Sequence, residues 1–474
     1  MAIAALKSVF QSALGLSNPA RDVIPHDGLA QPLRSWAMLA LGFGMFMAGL
    51  DSSIANVALP AIRQELQITP VAVIWVVTAY QMALVACLLA FSSLGEIVGY
   101  RRVSLSGMVV FTFGSLLCAI SPDINWLIGA RVLQGVGAGA IISVANALLR
   151  YIYPRKMLGA GFGTYSMIAA SAGALGPSAA TAILAVAPWP YLFWINVPIG
   201  IVLVIVALRV LPASDRVARP FDWQGGILSA ICLSMLLLVL DGIAQHAPLW
   251  VIAAEVIGTI LAGIWLTRRE LRIPAPVLPV DLLRMPIFVL SVITSLALYA
   301  TQFLAYVSLP FLFHDNLGMS QGEIGLLMTP WPLLLAAIGP VSGRLADRYS
   351  PGILCGIGLL LTCIGLLLLA FMPEHPSVPG LLWRMAICGI GWGLVVAPNS
   401  RAMIVAAPKE RTGGSSGITA VSRLFGQTLG TALTAVMFGT MASGAAEMSL
   451  LLGAGLGLAA AILSFSRHWA KQEA

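Results

Sequence analysis

The sequence predicts an all-α membrane protein of fourteen transmembrane helices, grouped six, two and six, with the two six-helix bundles pseudo-symmetric. Three observations predict it. The 474 residues are 59% hydrophobic and only 9% charged, where soluble chains carry about a quarter charged residues. The apolar residues fall in runs of bilayer-spanning length. The cations lie almost entirely between alternate pairs of runs.

A run needs roughly 20 residues to cross about 30 Å of hydrocarbon. Such runs lie near 36–60, 71–93, 103–121, 125–148, 159–184, 191–210, 223–241, 249–267, 286–313, 322–343, 351–372, 380–402, 413–441 and 448–466. The 47 glycines and 28 prolines suit membrane helices, which tolerate both. Residues 1–35 read as a cytoplasmic tail with a short amphipathic surface helix. Arg21, Asp22 and Asp27 follow Lys7 there with no long apolar core, unlike a secretion signal. Six cysteines all sit in apolar runs without metal-like spacing and read as small buried apolar residues.

Fourteen spans with an internal N-terminus put 22 of the 26 cations on inner segments and tails. Only Arg63 is outside, and Arg131, Arg384 and Arg423 lie within spans. This is the positive-inside bias, and adding or losing one span would invert every later loop. The net charge of +7 is therefore a membrane-topology charge, not a nucleic-acid face. Two sequence echoes, at 92–102 and 343–348, follow the second span of each six-helix half, as expected of parallel repeats that permit alternating access. The resulting units are an N-terminal tail (1–35), a first bundle (36–210), an inserted pair with its loops (211–285), a second bundle (286–466) and a C-terminal tail (467–474).

Charges inside spans are expensive and normally face a cavity or a partner. Asp51 lies in the middle of the first span, nine residues before Pro60, so about 13 Å below the outer end at 1.5 Å per residue. Arg131 lies at a similar depth in the fourth span. The two are expected to be neighbours, with Asp51 taking up a proton or a substrate cation and Arg131 tuning it. The competing readings are a packing charge for Asp51 and a tie to backbone carbonyls for Arg131. Glu255 reads as a helix-pair contact in the inserted pair. Asp241 and Glu323 read as wetted carboxylates near outer span ends, with Glu323 also a negative entrance to the second half. Arg384 reads as snorkelling, and Arg423 as buried and bonded across helices.

Tyr80, Gln81, Asn146, Tyr165, Tyr299, Gln302, Tyr306, Trp331 and Asn399 are the polar and aromatic residues expected to line a greasy cavity. For the tyrosines, anchoring at the membrane interface competes with that reading. Gly135-x-Gly137-x-Gly139 and Gly389-x-Gly391-x-Gly393 open two faces of a helix to close packing. Gly176-Pro177 marks a bend in the fifth span. No GxxxxGK[ST] loop occurs, so the sequence offers no ATP site, and no cofactor or metal site is expected.

These motifs resemble those of the fourteen-span drug:proton antiporters (DHA2-like) of the major facilitator superfamily. Leu50-Asp51 through Asn56-Val57-Ala58-Leu59-Pro60 is similar to that group's first-helix motif. Leu127 to Gly139, with Arg131 and Gln134-Gly135, is similar to the fourth-helix motif. Gly173 to Pro177 resembles the antiporter motif, Asn196-Val197-Pro198-x-Gly200 that of the sixth helix, and Phe221-Asp222-Trp223-x-Gly225 the entry to the inserted pair. Gly343 to Arg348, including Asp347, resembles the superfamily's loop motif.

The first-half copy of the loop motif departs from it. Ser92, Glu96 and Ile97 stand where Gly, Asp and Arg are usual, while Gly99, Arg101 and Arg102 follow. Glu96 keeps a carboxylate to cap a helix terminus and pair with Arg101 or Arg102. In the antiporter motif, Ala180 and Thr181 replace two glycines.

The resemblance implies a multi-pass protein of a bacterial inner membrane, both termini cytoplasmic, that exchanges inward protons for lipophilic, cationic drugs. Export of one endogenous metabolite or lipid-like molecule is the alternative, and an uptake symporter a further class. Its partners are then small molecules, protons and membrane lipids, with no nucleic acid, and the unit is a monomer.

Overall fold

The computed structural model describes residues 27–244, 247–273, 276–319, 321–373, 376–441 and 444–470. Of the tails expected at 1–35 and 467–474, residues 1–26 and 471–474 lie outside the described residues, as do the side chains of Pro177 and Asp241. The described chain is helical, with no strand. The passes are α1 (Leu33–Leu66), α2 (Pro70–Val98), α3 (Tyr100–Ala119), α4 (Ile124–Ile152), α5 (Leu158–Leu184), α6 (Tyr191–Val210, interrupted at Ile195) and α7 (Trp223–Ala244). They continue with α8 (Leu249–Glu270), α9 (Pro286–Phe311), α10 (Gln321–Met328 with Pro330–Ala346), α11 (Pro351–Ala370), α12 (Val378–Ala406), α13 (Thr412–Thr440) and α14 (Ala445–Ala470).

Thirteen of these are long and apolar enough to span a bilayer by length and composition. The exception is α13. At 29 residues it is long enough, but Ser415, Ser416, Thr419, Ser422, Arg423, Gln427, Thr428 and Thr431 lower its hydropathy. Large apolar side chains such as Trp223, Leu249, Trp250 and Ile260 are exposed on the outside of the bundle, where lipid is their natural contact.

The two halves pack alike. In the first, α2 and α3 pack on α4, α1 packs on α5, and α6 packs on α1 and α3. In the second, α10 and α11 pack on α12, α9 packs on α13, and α14 packs on α9 and α11. The Gly-x-Gly-x-Gly runs explain the tight contacts. A Cβ on Gly135 would stand 2.4 Å from the Tyr80 carbonyl of α2, and one on Gly137 would stand 2.4 Å from the Phe111 nitrogen of α3. Gly389 faces Trp331 of α10 and Gly391 faces Gly358 of α11 in the same way. Each α4 or α12 is thus clasped on two faces by backbone-to-backbone contact.

The halves meet along two seams, α5 with α10 and α2 with α13. The inserted α7 and α8 pack on each other, and α7 covers the second seam. Asp222 ties the pair, accepting from Arg269 Nη1 and Nη2 at 2.6 and 2.7 Å. These bonds hold its carboxyl below the usual range although partial burial opposes them. Glu255 faces α7, its Oε2 3.2 Å from where a Gly242 Cβ would stand.

Candidate functional site

Even-numbered passes bring loops 99–102, 150–158, 211–222, 268–285, 344–350 and 407–411 to one end, here termed the basic end; the opposite end is the mouth. Three helices entering from the mouth, α2, α4 and α12, carry their own caps. Thr69, Asp123 and Ser377 accept from the backbone N–H of Ala72, Trp126 and Gly380, filling part of the deficit of every helix start.

At the basic end two helix starts, those of α5 and α13, are capped from the opposite half. Asp347, at the end of α10, accepts from Gly159 and Ala160 N–H at the start of α5, at 2.8 and 3.1 Å. Glu96, near the end of α2, accepts from Gly414 N–H at the start of α13 at 2.9 Å. A carboxylate at a helix N-terminus meets both free donors and the positive end of the dipole. The two sequence echoes thus reach across to each other's half.

The sequence paired Glu96 with Arg101 or Arg102; its salt-bridge partners are Arg219 at 2.7 Å and Arg411 at 3.4 Å. The reason is direction. Glu96 faces the α13 start, whereas Arg101 donates to the Leu208 carbonyl and Arg102 is exposed. Arg348 is exposed too, and Asp347 pairs with Arg401 at 3.2 Å.

Arg150 adds a bond from α4 to Thr412 Oγ1 at 2.7 Å. Arg411 is aimed by Asp281, whose two oxygens accept from it at 2.8 Å each. Burial pulls the Asp281 carboxyl up, but Arg411 outweighs it and holds the group below the usual carboxylate range. Gly99, at φ +99°, makes the turn from α2 to α3 that a Cβ would strain. Gly159 and Gly343 bring α5 and α10 into backbone contact, where a Cβ on either would lie 2.1 Å from the other's carbonyl oxygen. The basic end is therefore closed.

Above this closure lies a cavity of about 590 Å³ between the halves. Eight of the ten residues expected to line it or its entrance do so. They are Tyr80, Gln81, Asn146 and Tyr165 from the first half, and Tyr299, Gln302, Tyr306 and Asn399 from the second. Trp331 does not line it. It is fully buried behind Tyr306, ring centroids 5.3 Å apart, because α10 turns it into the core under Gly389. Glu323 is exposed near the start of α10 and does not line the cavity either.

Ser52, Ser53, Asn56, Trp392, Arg423 and Gln427 also line the wall. The polar stripe of α13 was the available signal for the last two. Arg423 corrects an expectation. It is half-buried on the wall and makes no hydrogen bond or ion pair among the described residues, since α13 turns its polar face to the cavity. Arg384, by contrast, folds back onto the Gly380 carbonyl at 2.6 Å.

Behind the wall Asp51 and Arg131 meet, at 1% and 0% exposure. Arg131 Nη1 donates to Asp51 Oδ2 at 2.5 Å, while Gln134 Nε2 and Asn196 Nδ2 donate to Asp51 Oδ1 at 2.8 and 3.0 Å. Arg131 also donates from Nε to the Val76 carbonyl at 2.9 Å and from Nη1 to Gln134 Oε1 at 2.6 Å. Its guanidinium lies 4.3 Å from the Tyr80 ring centroid, a cation–π contact. Tyr80 is thus the partition between cavity and ion pair, pinned by its hydroxyl to the Ala48 carbonyl at 3.1 Å. Arg131 thus both ties α4 to the α2 backbone and pairs with Asp51. Gln134 and Asn196 stood in the motifs without a role; only the packing of α4 and α6 against α1 supplies one. A Cβ on Gly176 would strike Ser53 Oγ at 2.4 Å, so α5 and α1 touch beside the pair.

Two pseudo-symmetric bundles, a central cavity and exchanged helix caps form one recognisable assembly, and the comparisons agree. Residues 41–431 match the Major Facilitator Superfamily. The chain belongs to that superfamily. It is 45% identical over 440 residues to the uncharacterized transporter YebQ of Escherichia coli (strain K12), covering 92% of this chain and 96% of YebQ. It is 29% identical over 408 residues to the riboflavin transporter RibZ of Clostridioides difficile (strain 630), covering 85% and 88%. It is 30% identical over 415 residues to the multidrug resistance protein Stp of Mycobacterium tuberculosis (strain CDC 1551 / Oshkosh), covering 84% and 74%. This superfamily member is a multi-pass membrane transporter, not an enzyme.

Proposed function

We propose that the protein is a proton-coupled antiporter that exports lipophilic aromatic compounds across a bacterial inner membrane by alternating access. In this reading its termini and basic end face the cytoplasm, an orientation that the cation bias supports. The observation that carries the reading is a neighbour relation. Ser52 and Ser53 face the cavity, while Asp51 turns away from it onto Arg131. A proton reaching Asp51 from the mouth would cancel one charge of a buried pair and leave Arg131 without its counter-ion, a costly arrangement. Rearrangement of α1 against α4 and α5 relieves it, and the cavity is then offered to the other side. The proton gradient supplies the drive, with no cofactor and no ATP, and one chain is the working unit.

The similarity to Stp supports a drug-like guest. The similarity to RibZ favours a second reading, export of one particular metabolite. The cationic guest expected from the sequence has no support at the wall: no carboxylate lines the cavity among the described residues, and the charge there is Arg423.

The test is substrate-driven proton movement in proteoliposomes carrying an imposed proton gradient. Asp51→Asn should abolish it. Exchange at the parent rate would remove Asp51 from the mechanism. A parent without gradient-dependent transport of any lipophilic compound would sink the antiporter reading.

A further inference from the structure

The charge pattern of the cavity is not that of a cation site. The buried pair behind Tyr80 is internally neutral, Asp51 against Arg131 at 2.5 Å. The field inside the cavity is then set by what its wall exposes, and among the described lining residues that is Arg423 alone. Arg423 has no hydrogen-bonding or ionic partner among the described residues, so its five donors are available to a guest. Tyr165 and Tyr299 line the same cavity from the two halves.

Next to these lie two buried polar atoms without partners. They are Gln302 Oε1 and Trp392 Nε1, on residues 7% and 6% exposed that both line the cavity. Buried polar atoms are normally satisfied, so atoms left bare on a cavity wall point to a guest that satisfies them. The remaining wall is aromatic: Tyr299 and Trp392 meet edge to face, centroids 5.5 Å apart, and Phe303 stacks on Tyr306 at 6.2 Å.

We propose that the cavity is a site for amphipathic organic anions, with Arg423 binding a carboxylate or similar planar anion and the aromatic wall taking the ring system. Arg is suited to this because its planar fork matches a carboxylate in a two-bond geometry. Trp392 Nε1 donates to the anion or to a polar substituent, and Gln302 Oε1 accepts from a hydroxyl or N–H of the guest. A lipophilic cation would find π-faces but would also meet an uncancelled guanidinium. The inference names the substrate class of the transport cavity proposed above and rests on that assignment of the cavity.

Binding, measured without any proton gradient, separates the two ideas. The probes are 1-pyrenecarboxylate, 1-pyrenemethanol and 1-pyrenemethylammonium, one ring system carrying three charges. Each is dialysed to equilibrium against the full-length protein in phosphatidylcholine nanodiscs, with empty nanodiscs subtracted. The parent should bind the carboxylate about ten- to a hundredfold more tightly than the alcohol, the yield of a charge-assisted bond, and should bind the ammonium least.

Arg423→Gln should bring carboxylate and alcohol within about threefold of each other, whereas Arg423→Lys should keep most of the preference by keeping the charge. Retention of the carboxylate preference in Arg423→Gln would overturn the assignment. So would a parent that prefers the ammonium or binds all three alike, although the cavity would then remain a binding site. If the parent binds none of the three, the cavity reading falls with it.

Discussion

Replacing Asp51 by Asn keeps the volume of the side chain and removes its charge. The Asn oxygen can still accept from Gln134 Nε2 or Asn196 Nδ2, but its amide then presents donors to Arg131 Nη1, formerly 2.5 Å from a carboxylate oxygen. Breaking a buried ion pair on one side costs about 3–5 kcal/mol. The low end applies here, because Arg131 keeps the Val76 carbonyl, Gln134 Oε1 and the Tyr80 ring. A loss of about 3 kcal/mol is roughly a hundredfold in the folded-to-unfolded ratio. The assay is reversible unfolding by denaturing detergent, followed by tryptophan fluorescence.

Asp51→Asn/Arg131→Met removes the stranded cation as well and should regain about 2 kcal/mol of that loss, since no uncompensated buried charge remains and the Asn oxygen can still accept from Gln134 Nε2 or Asn196 Nδ2. Proton exchange should be absent from both variants. Equal stability of parent and Asp51→Asn would refute the claim that the pair is desolvated and mutually dependent. Stability restored together with proton exchange in the double variant would refute the role of the pair in coupling.

Gly159→Leu should keep the basic end from closing, because its Cβ alone would sit 2.1 Å from the Gly343 carbonyl oxygen. In a cysteine-free background, a cysteine placed at Asn146 on the cavity floor should then react at least about tenfold faster with an impermeant maleimide added from the basic side, scaled from the cost of overpacking; unchanged labelling contradicts the closure. Tyr80→Leu removes the partition over Arg131 and should cost about 0.5–2 kcal/mol in the same unfolding assay, the worth of a partly desolvated cation–π contact.

The closure should also depend on pH at the basic side. Asp281 is held below the usual carboxylate range, so its contribution is fully present above the ordinary carboxylate pKa and is lost as pH falls through the depressed value. Accessibility of the same Asn146 cysteine should therefore rise on that side in acid, and Asp281→Asn should flatten the rise. A profile unaltered by the substitution would remove Asp281 from the gate.

Much of the architecture is determined by the sequence alone. The lengths of the apolar runs, the cation bias and the paired Gly-x-Gly-x-Gly segments are local or periodic properties, and each run forms a helix because lipid leaves its backbone no other way to satisfy its hydrogen bonds. Asp51 and Arg131 were legible for a related reason: charge in an apolar run is expensive wherever the helix goes. What no run could specify is which way a helix turns its faces once packed.

Only the tertiary structure put Gln134 and Asn196 on Asp51, swung Glu96 to Arg219 and Arg411 across the seam, buried Trp331 beneath α12 and left Arg423 on the cavity wall. These outcomes depend on how α4, α6, α10 and α13 are rotated against distant neighbours, which is fixed by close contacts between residues far apart in the chain. The sequence determined that this protein carries charge inside the membrane; packing decided which charge is cancelled and which one meets the cavity.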